Sequence, residues 1–210
     1  MAIVEKIRIR FSKSGDIRFI SHNDLMRTIE RAIRRANIPI AMSKGFNPHP
    51  KISIPLALGV GISGEEEILE LELVRHESLN LLAERFGSQL PEGIKITSVQ
   101  PISLSEKSIV TSVTYKVIFK DKGLLQTLKI EGFWKEHSFV IKRMKKTGQK
   151  SVDIRSSVQK IWIENDSLFL TIRFTQDGMP RAEEVIDALG IDLKKELFEI
   201  IRTEVNLSSV

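Results

Sequence analysis

Lys6-Ile7-Arg8-Ile9-Arg10-Phe11, near the N-terminus, alternates charge and apolar side chains without a break. A period of two puts Ile7, Ile9 and Phe11 on one face and Lys6, Arg8 and Arg10 on the other, as in a half-buried strand. Ser14-Gly15-Asp16 reads as a turn, and Ile17–Ile20 resumes the alternation, so a hairpin or bulged strand is expected there. Ser21 with Asp24 three residues on makes a capping-box-like pair. A helix is therefore expected from about His22 to Ala36, stopping short of Pro39.

Outward from this pair the alternation continues. Lys51–Leu58 and Ile68–Val74 read as strands, Leu79–Leu90 as an amphipathic helix, and Ile94–Val99 as a further strand. The order β-α-β-β-α-β is that of a ferredoxin-like split βαβ unit. Residues 1–100 are thus expected to form one α+β domain. The serine-rich stretch 101–112 is expected to be a linker, and 113–210 a second, decorated α+β domain. In that second part Val113–Phe119, Phe139–Lys145, Val158–Glu164 and Leu168–Phe174 read as strands. Gly123–Trp134 reads as partly helical, and Arg181–Leu189 and Leu193–Glu204 as helices.

The chain has 210 residues, no cysteine and no apolar run of the length a membrane span needs. Disulfides, a thiol nucleophile, a cysteine-bound cluster and thiolate zinc sites are excluded. The N-terminal Met1–Phe11 lacks a signal-peptide core, and the expected compartment is the cytoplasm. Charge is uneven. Residues 1–60 hold eleven Lys/Arg against four Asp/Glu, residues 61–110 four against nine, and residues 111–210 seventeen against fourteen. A basic first part beside an acidic stretch points to a directed patch.

At about 100° per residue, Leu25, Ile29, Ala32, Ile33 and Ala36 share one side of the first helix, and Arg27, Arg31, Arg34 and Arg35 share the other. A guanidinium fork binds phosphate oxygens bidentately and stacks on bases. Arg8, Arg10, Arg18 and Lys13 are expected to extend the patch, with Phe11 and Phe19 stacking on unpaired bases if the sheet face is open. The same pattern also suits a solvated face whose arginines pair with carboxylates such as Glu65–Glu67, or an acidic protein partner.

Gly45-Phe46-Asn47-Pro48-His49-Pro50-Lys51 follows. Two prolines one residue apart stiffen the segment, so Asn47, His49 and Lys51, with Lys44 beside them, are presented at small entropic cost. A stiff connector with Phe46 as a buried anchor is the other reading. A second basic run, Lys142, Arg143, Lys145 and Lys146, lies in a region that counts eight basic against two acidic residues from 135 to 160. It reads as a β-hairpin with a lysine-rich tip suited to tracking a phosphate backbone, or as edge protection. None of the four histidines has metal-ligand spacing to another, so no metal site is expected. His22, Asp24, His49 and Lys51 are the candidates for acid–base chemistry.

Arg10-Phe11-Ser12-Lys13, Asp16 to His22, Asp24-Leu25, Glu30-Arg31-Ala32, Arg34-Arg35-Ala36 and Gly45 to Lys51 together resemble the signature of the radical SAM-linked protein family. That family has no established function and is found beside, or fused to, cobalamin-binding radical SAM proteins. The resemblance is specific over roughly residues 7–75. Asn23 departs from it, standing where an apolar residue is expected. The resemblance implies a cobalamin-binding radical SAM protein as partner, holding the iron–sulfur cluster and S-adenosylmethionine. No cofactor is expected in this chain, which lacks the cysteines a cluster requires. Three functions follow as expectations: an accessory RNA-binding protein that positions substrate for that partner, a stand-alone RNA-processing or RNA-modifying enzyme, or a subunit that docks directly on the partner.

Overall fold

The computed structural model describes residues 3–145, 148–175, 178–193, 196 and 198–209. The chain is α+β and divides into two units, one running to Val110 and including the end of the chain from Leu207, the other spanning Thr111–Asn206.

The first unit contains β1 (Glu5–Lys13), α1 (His22–Arg35), β2 (Ile52–Ser53), β3 (Ser63–Leu73), α2 (Leu79–Gly87) and β4 (Ile94–Ile102). β1 lies between β4 and β3, and β2 pairs with β3, all antiparallel. The resulting order 4-1-3-2 is compatible with a split βαβ sheet. Ile7, Ile9 and Phe11 face the helices and are buried with Leu69, Leu71 and Leu73 of β3, Leu25, Ile29, Ala32 and Ile33 of α1, and Leu82 and Phe86 of α2. Ser21 caps α1, its Oγ accepting from the Asp24 amide at 3.2 Å and donating to Asp24 Oδ2 at 2.7 Å. Asn23 is exposed, so its departure from the expected apolar type costs α1 no packing.

Three local expectations change here. Residues 17–20 do not resume the strand. Gly15–Phe19 forms a 3-10 turn, because Gly15 (φ 67°) redirects the chain and the Ser14 amide donates to the Gly93 carbonyl at 2.8 Å. The strand expected at 51–58 shrinks to Ile52–Ser53, since Pro55 has no amide to extend a ladder. The stretch 101–112 is mostly strand rather than linker: β4 runs to Ile102 and β5 starts at Ser108, leaving only 103–107 between them.

The chain continues with β5 (Ser108–Phe119), α3 (Ile130–Lys135), β6 (Val140–Lys145), β7 (Gly148–Asp153), β8 (Val158–Glu164), β9 (Ser167–Arg173), α4 (Ala182–Ala188) and β10 (Phe198–Ser209), most of it in the second unit. β6 and β7 form the expected basic hairpin, a separate two-stranded sheet. Without that hairpin, the sequence is again β-α-β-β-α-β, and the strands neighbour in the order β10-β5-β9-β8, the same 4-1-3-2 permutation as in the first unit. Of the helix expected at 193–204, residues 198–204 lie in β10, and Lys194, Lys195 and Leu197 lie outside the described residues. The helix-forming Lys194-Lys195-Glu196-Leu197 start is followed by Ile200, Ile201, Thr203 and Val205, whose branched side chains suit a strand beside β5. No helix among the described residues is long and apolar enough to cross a membrane.

Candidate polyanion interface

The basic residues of the first unit fall into two groups that the sequence does not separate. One group is consumed inside the fold. Arg8, only 7% exposed, donates through Nε and Nη2 to Glu70 Oε1 at 3.1 and 3.0 Å, and through Nη2 to Glu106 Oε1 and Ser108 Oγ, both at 2.6 Å. Lys6 Nζ sits 2.9 Å from Glu70 Oε2 and donates to the Glu106 carbonyl. Ser108 Oγ also donates to Glu70. Burial alone would raise the Glu70 carboxyl, but the hydrogen bonds from Ser108, Lys6 and Arg8 outweigh it and hold the group below its ordinary value. The β1–β3 register causes this, placing Arg8 opposite Glu70 and Lys6 opposite Glu72. Lys13 is buried and donates to the Arg18 carbonyl at 3.3 Å. Arg10 pairs with Glu66 at 3.4 Å, and Lys51 with Glu72 at 2.8 Å. Arg8 and Lys13, both buried, therefore do not extend an open cationic surface, whereas Arg10 and Lys51 stay part-exposed, each beside a carboxylate.

The other group lies on α1. Arg31 and Arg34 are exposed and make no ion pair or hydrogen bond among the described residues. Arg27 meets only Asp24, at 3.4 Å, with both side chains more than half exposed, a contact of little net worth. Arg35 is held by a neutral partner, Gln89, through its carbonyl at 2.6 Å and Oε1 at 3.1 Å. None of the four pairs with Glu65–Glu67. A helix C-terminus favours cations in its last turn, which accounts for Arg34 and Arg35. It does not account for Arg27 and Arg31. Positions 27, 31 and 34 advance by four and then three residues, so they form one ridge.

The sequence holds a signal for this ridge beyond the helical spacing. Between Glu30 and Glu65 there is no acidic residue, while Arg31, Arg34, Arg35, Lys44 and Lys51 fall in that interval. The proline loop lies within it. The Ser43 amide donates to the His49 carbonyl at 2.8 Å, the His49 amide to Ser43 Oγ at 2.9 Å, and the Lys51 amide to the Ala41 carbonyl at 2.8 Å. These bonds close the loop, and Gly45 (φ 130°) turns it. Lys44, Asn47 and His49 are exposed, and so is Phe46, with a relative accessibility of 106%. Phe46 is therefore no buried anchor. Beside the loop lies an open cavity of about 1060 Å³ lined by Ile40, Met42, Lys44, Pro48 and Val74 among others.

The aromatic expectation at Phe11 fails, because Phe11 is 2% exposed on the helix-covered face. Phe19 is 57% exposed, with the Arg18 guanidinium 4.8 Å above its ring. No hydrogen bond joins any two of His22, Asp24, His49 and Lys51 among the described residues. Asp24 is occupied in capping α1, Lys51 is paired with Glu72, and His22 Nδ1 is buried without a partner.

In the second unit, Lys142 is exposed, whereas Arg143 donates to Glu184 of α4 at 2.7 and 2.5 Å and to the Met179 carbonyl at 3.2 Å. Burial would raise the Glu184 carboxyl, but the bonds from Arg143 and from the Arg181 amide pull it below its ordinary value. Arg143 thus fastens the hairpin to α4. Lys145 lies in β6, and Lys146 lies outside the described residues.

The chain belongs to the family described as "Uncharacterized protein conserved in bacteria (DUF2344)", whose pattern it matches over residues 6–182. A search of curated proteins gave no match. Among solved structures, an unknown protein from Galdieria sulphuraria aligns over 98% of both chains, with 12% identity and a TM-score of 0.29.

Proposed function

We propose that this DUF2344 protein is an accessory RNA-binding protein, holding RNA against the arginine ridge of α1 for a cobalamin-binding radical SAM partner. The observation that carries the RNA half is the state of Arg31 and Arg34, two guanidiniums in water with no carboxylate partner among the described residues. A protein that needed these charges only for solubility would gain nothing from placing them on one ridge, next to a segment free of acids. Arginine also supplies the planar fork that fits phosphate oxygens. The partner half rests on the family resemblance in residues 7–75. In this reading the cluster, S-adenosylmethionine and cobalamin belong to the partner.

The test is the affinity of the full chain for a labelled 12-nucleotide RNA by fluorescence anisotropy. Arg31→Glu/Arg34→Glu is expected to weaken binding by tenfold or more at low salt, while Lys142→Glu has the smaller effect of a single peripheral charge. Unchanged affinity in the double variant would remove the basis of the proposal.

A second reading has its own observation. Phe46, fully exposed on a closed loop beside an apolar cavity, suits direct docking on a protein. In this reading the partner is retained on the immobilised chain after nuclease treatment and is lost with Phe46→Ala. If nuclease releases the partner, RNA is the bridge.

A further inference from the structure

The second unit carries an aromatic row that the functional reading above does not use. β5, β9 and β8 are antiparallel neighbours, and their register places Lys116 opposite Phe169, Phe169 opposite Trp162, and Lys160 opposite Thr171. Strand periodicity puts these side chains on one face, together with Thr114 and Arg173. The other face carries Val113, Tyr115, Val117, Leu168, Leu170 and Ile172, all buried. The Phe169 and Trp162 rings are stacked, with centroids 5.0 Å apart and planes 14° from parallel. Lys116 Nζ lies 6.0 Å from the Phe169 centroid and Lys160 Nζ 4.4 Å from that of Trp162. Lys160 and Arg173 are exposed, and the two rings are half-buried.

A core-forming sheet would place aliphatic side chains here, and a purely solvated one would place polar residues. This face does neither. Two flat rings stand in a row on the less buried side of a 4-1-3-2 sheet, flanked by ammonium groups. The carboxylates nearby are already engaged: Glu164 Oε2 accepts from Trp162 Nε1 and Glu204 Oε2 from Thr114 Oγ1, each at 3.3 Å. The exposed charge here is mixed, with Lys160 and Arg173 beside Glu164 and Glu204, so a ligand held on this face gains from offering rings as well as charge.

We propose that Phe169 and Trp162 form a stacking platform for the unpaired bases of single-stranded RNA, with Lys116, Lys160 and Arg173 taking the adjoining phosphates. The inference rests on the RNA-binding reading and narrows its substrate to a single strand, because paired bases are not free to stack on a protein ring. An exposed lysine–ring contact is weaker than base–aromatic stacking, so an arriving base displaces the lysine and frees its ammonium for the backbone. The platform reads no sequence, since every base has a flat face.

The test uses the full chain carrying Trp134→Phe, which leaves Trp162 as its only tryptophan. Its emission is followed while a 12-nucleotide oligouridylate, a duplex RNA of the same length and an abasic ribose-phosphate 12-mer are added. The oligouridylate is expected to quench Trp162, and the duplex and abasic strands to leave it unchanged. Phe169→Leu, which keeps an apolar side chain but loses the ring, is expected to weaken oligouridylate binding about tenfold. Lys116→Glu/Lys160→Glu changes only lysine side chains at the surface and is expected to weaken it as well. The platform is overturned if Trp162 is not quenched, or if folded Phe169→Leu and the lysine variant both bind as the parent does. In that case binding lost with Arg31→Glu/Arg34→Glu leaves the α1 reading standing. Quenching that persists at full affinity in the α1 variant has the opposite meaning: the platform stands and the ridge does not bind RNA.

Discussion

Replacing Glu70 by leucine separates the structural cations from the available ones. In the native fold the Glu70 carboxylate, 4% exposed, faces Lys6 at 2.9 Å and Arg8 at 3.0 Å. Leucine leaves Lys6 with only the Glu106 carbonyl, and Arg8 with Glu106 and Ser108. Removing one partner of a buried ion pair costs about 3–5 kcal/mol. The low end applies here, because Arg8 keeps Glu106 and the Lys6 head is close enough to the surface to recover some water. The expected cost is therefore about 3 kcal/mol, roughly a hundredfold in the folded-to-unfolded ratio. Arg8→Met/Glu70→Leu removes the charge together with its main partner, so the double variant is expected to be more stable than the sum of the single losses implies, with a coupling of about 2 kcal/mol. Arg31→Met and Arg34→Met, at positions without partners among the described residues, are expected to change stability by less than about 0.5 kcal/mol. Urea denaturation of these four variants and of Arg8→Met alone, monitored by circular dichroism, gives the values. A cost below about 1 kcal/mol for Glu70→Leu, or an Arg31→Met cost equal to it, refutes the division of the cations into two groups.

The pH dependence has a defined sign. Glu70 and Glu184 titrate below their ordinary 4.5 in the fold, so the unfolded chain binds their protons more readily. The stability they contribute is fully present above 4.5 and is lost as the pH falls through the depressed values. Urea denaturation midpoints of Glu70→Gln and Glu184→Gln, measured at several pH values in that window, should thus fall less steeply with acid than the parent's. Gly93→Ala is expected to destabilise the first unit by about 2 kcal/mol or more, because Gly93 has φ 88° and an added Cβ would press on the Ser14 carbonyl oxygen and Ile17. Thermal melts check this. Ser21→Ala removes the cap of α1 and should cost about 1 kcal/mol in the same assay. Phe46→Ala should leave the melting temperature unchanged, since the ring touches solvent on all sides.

Much of the first unit is legible in its sequence, because its elements bury one clean face. Ile7, Ile9 and Phe11 alternate, and Leu25, Ile29, Ala32 and Ile33 recur at helical spacing, so pattern and burial agree. β10 was not legible. The residues just before it in sequence favour a helix, and the pairing of Phe198–Ser209 beside β5 decides for strand there. The cations show a deeper limit. Arg8 and Arg31 are equally basic in sequence, yet one faces Glu70 across 62 positions of chain and the other faces water. That difference is set by the β1–β3 register, which local spacing does not encode. Of the two rings the sequence offers for an open sheet face, Phe11 is buried and Phe19 is exposed. Phe11 points to the helices, whereas Phe169 and Trp162 are half-buried rings brought together by the β8–β9 register.

The salt dependence of RNA binding tests the arginine ridge most directly. With Arg27, Arg31 and Arg34 each meeting one phosphate of a single strand, the ridge contributes a slope of about −2 to log K against log salt. Arg31→Glu/Arg34→Glu is expected to make the measured slope shallower by about 1.4, the share of two contacts. A slope identical in the two proteins would mean that these guanidiniums meet no phosphate.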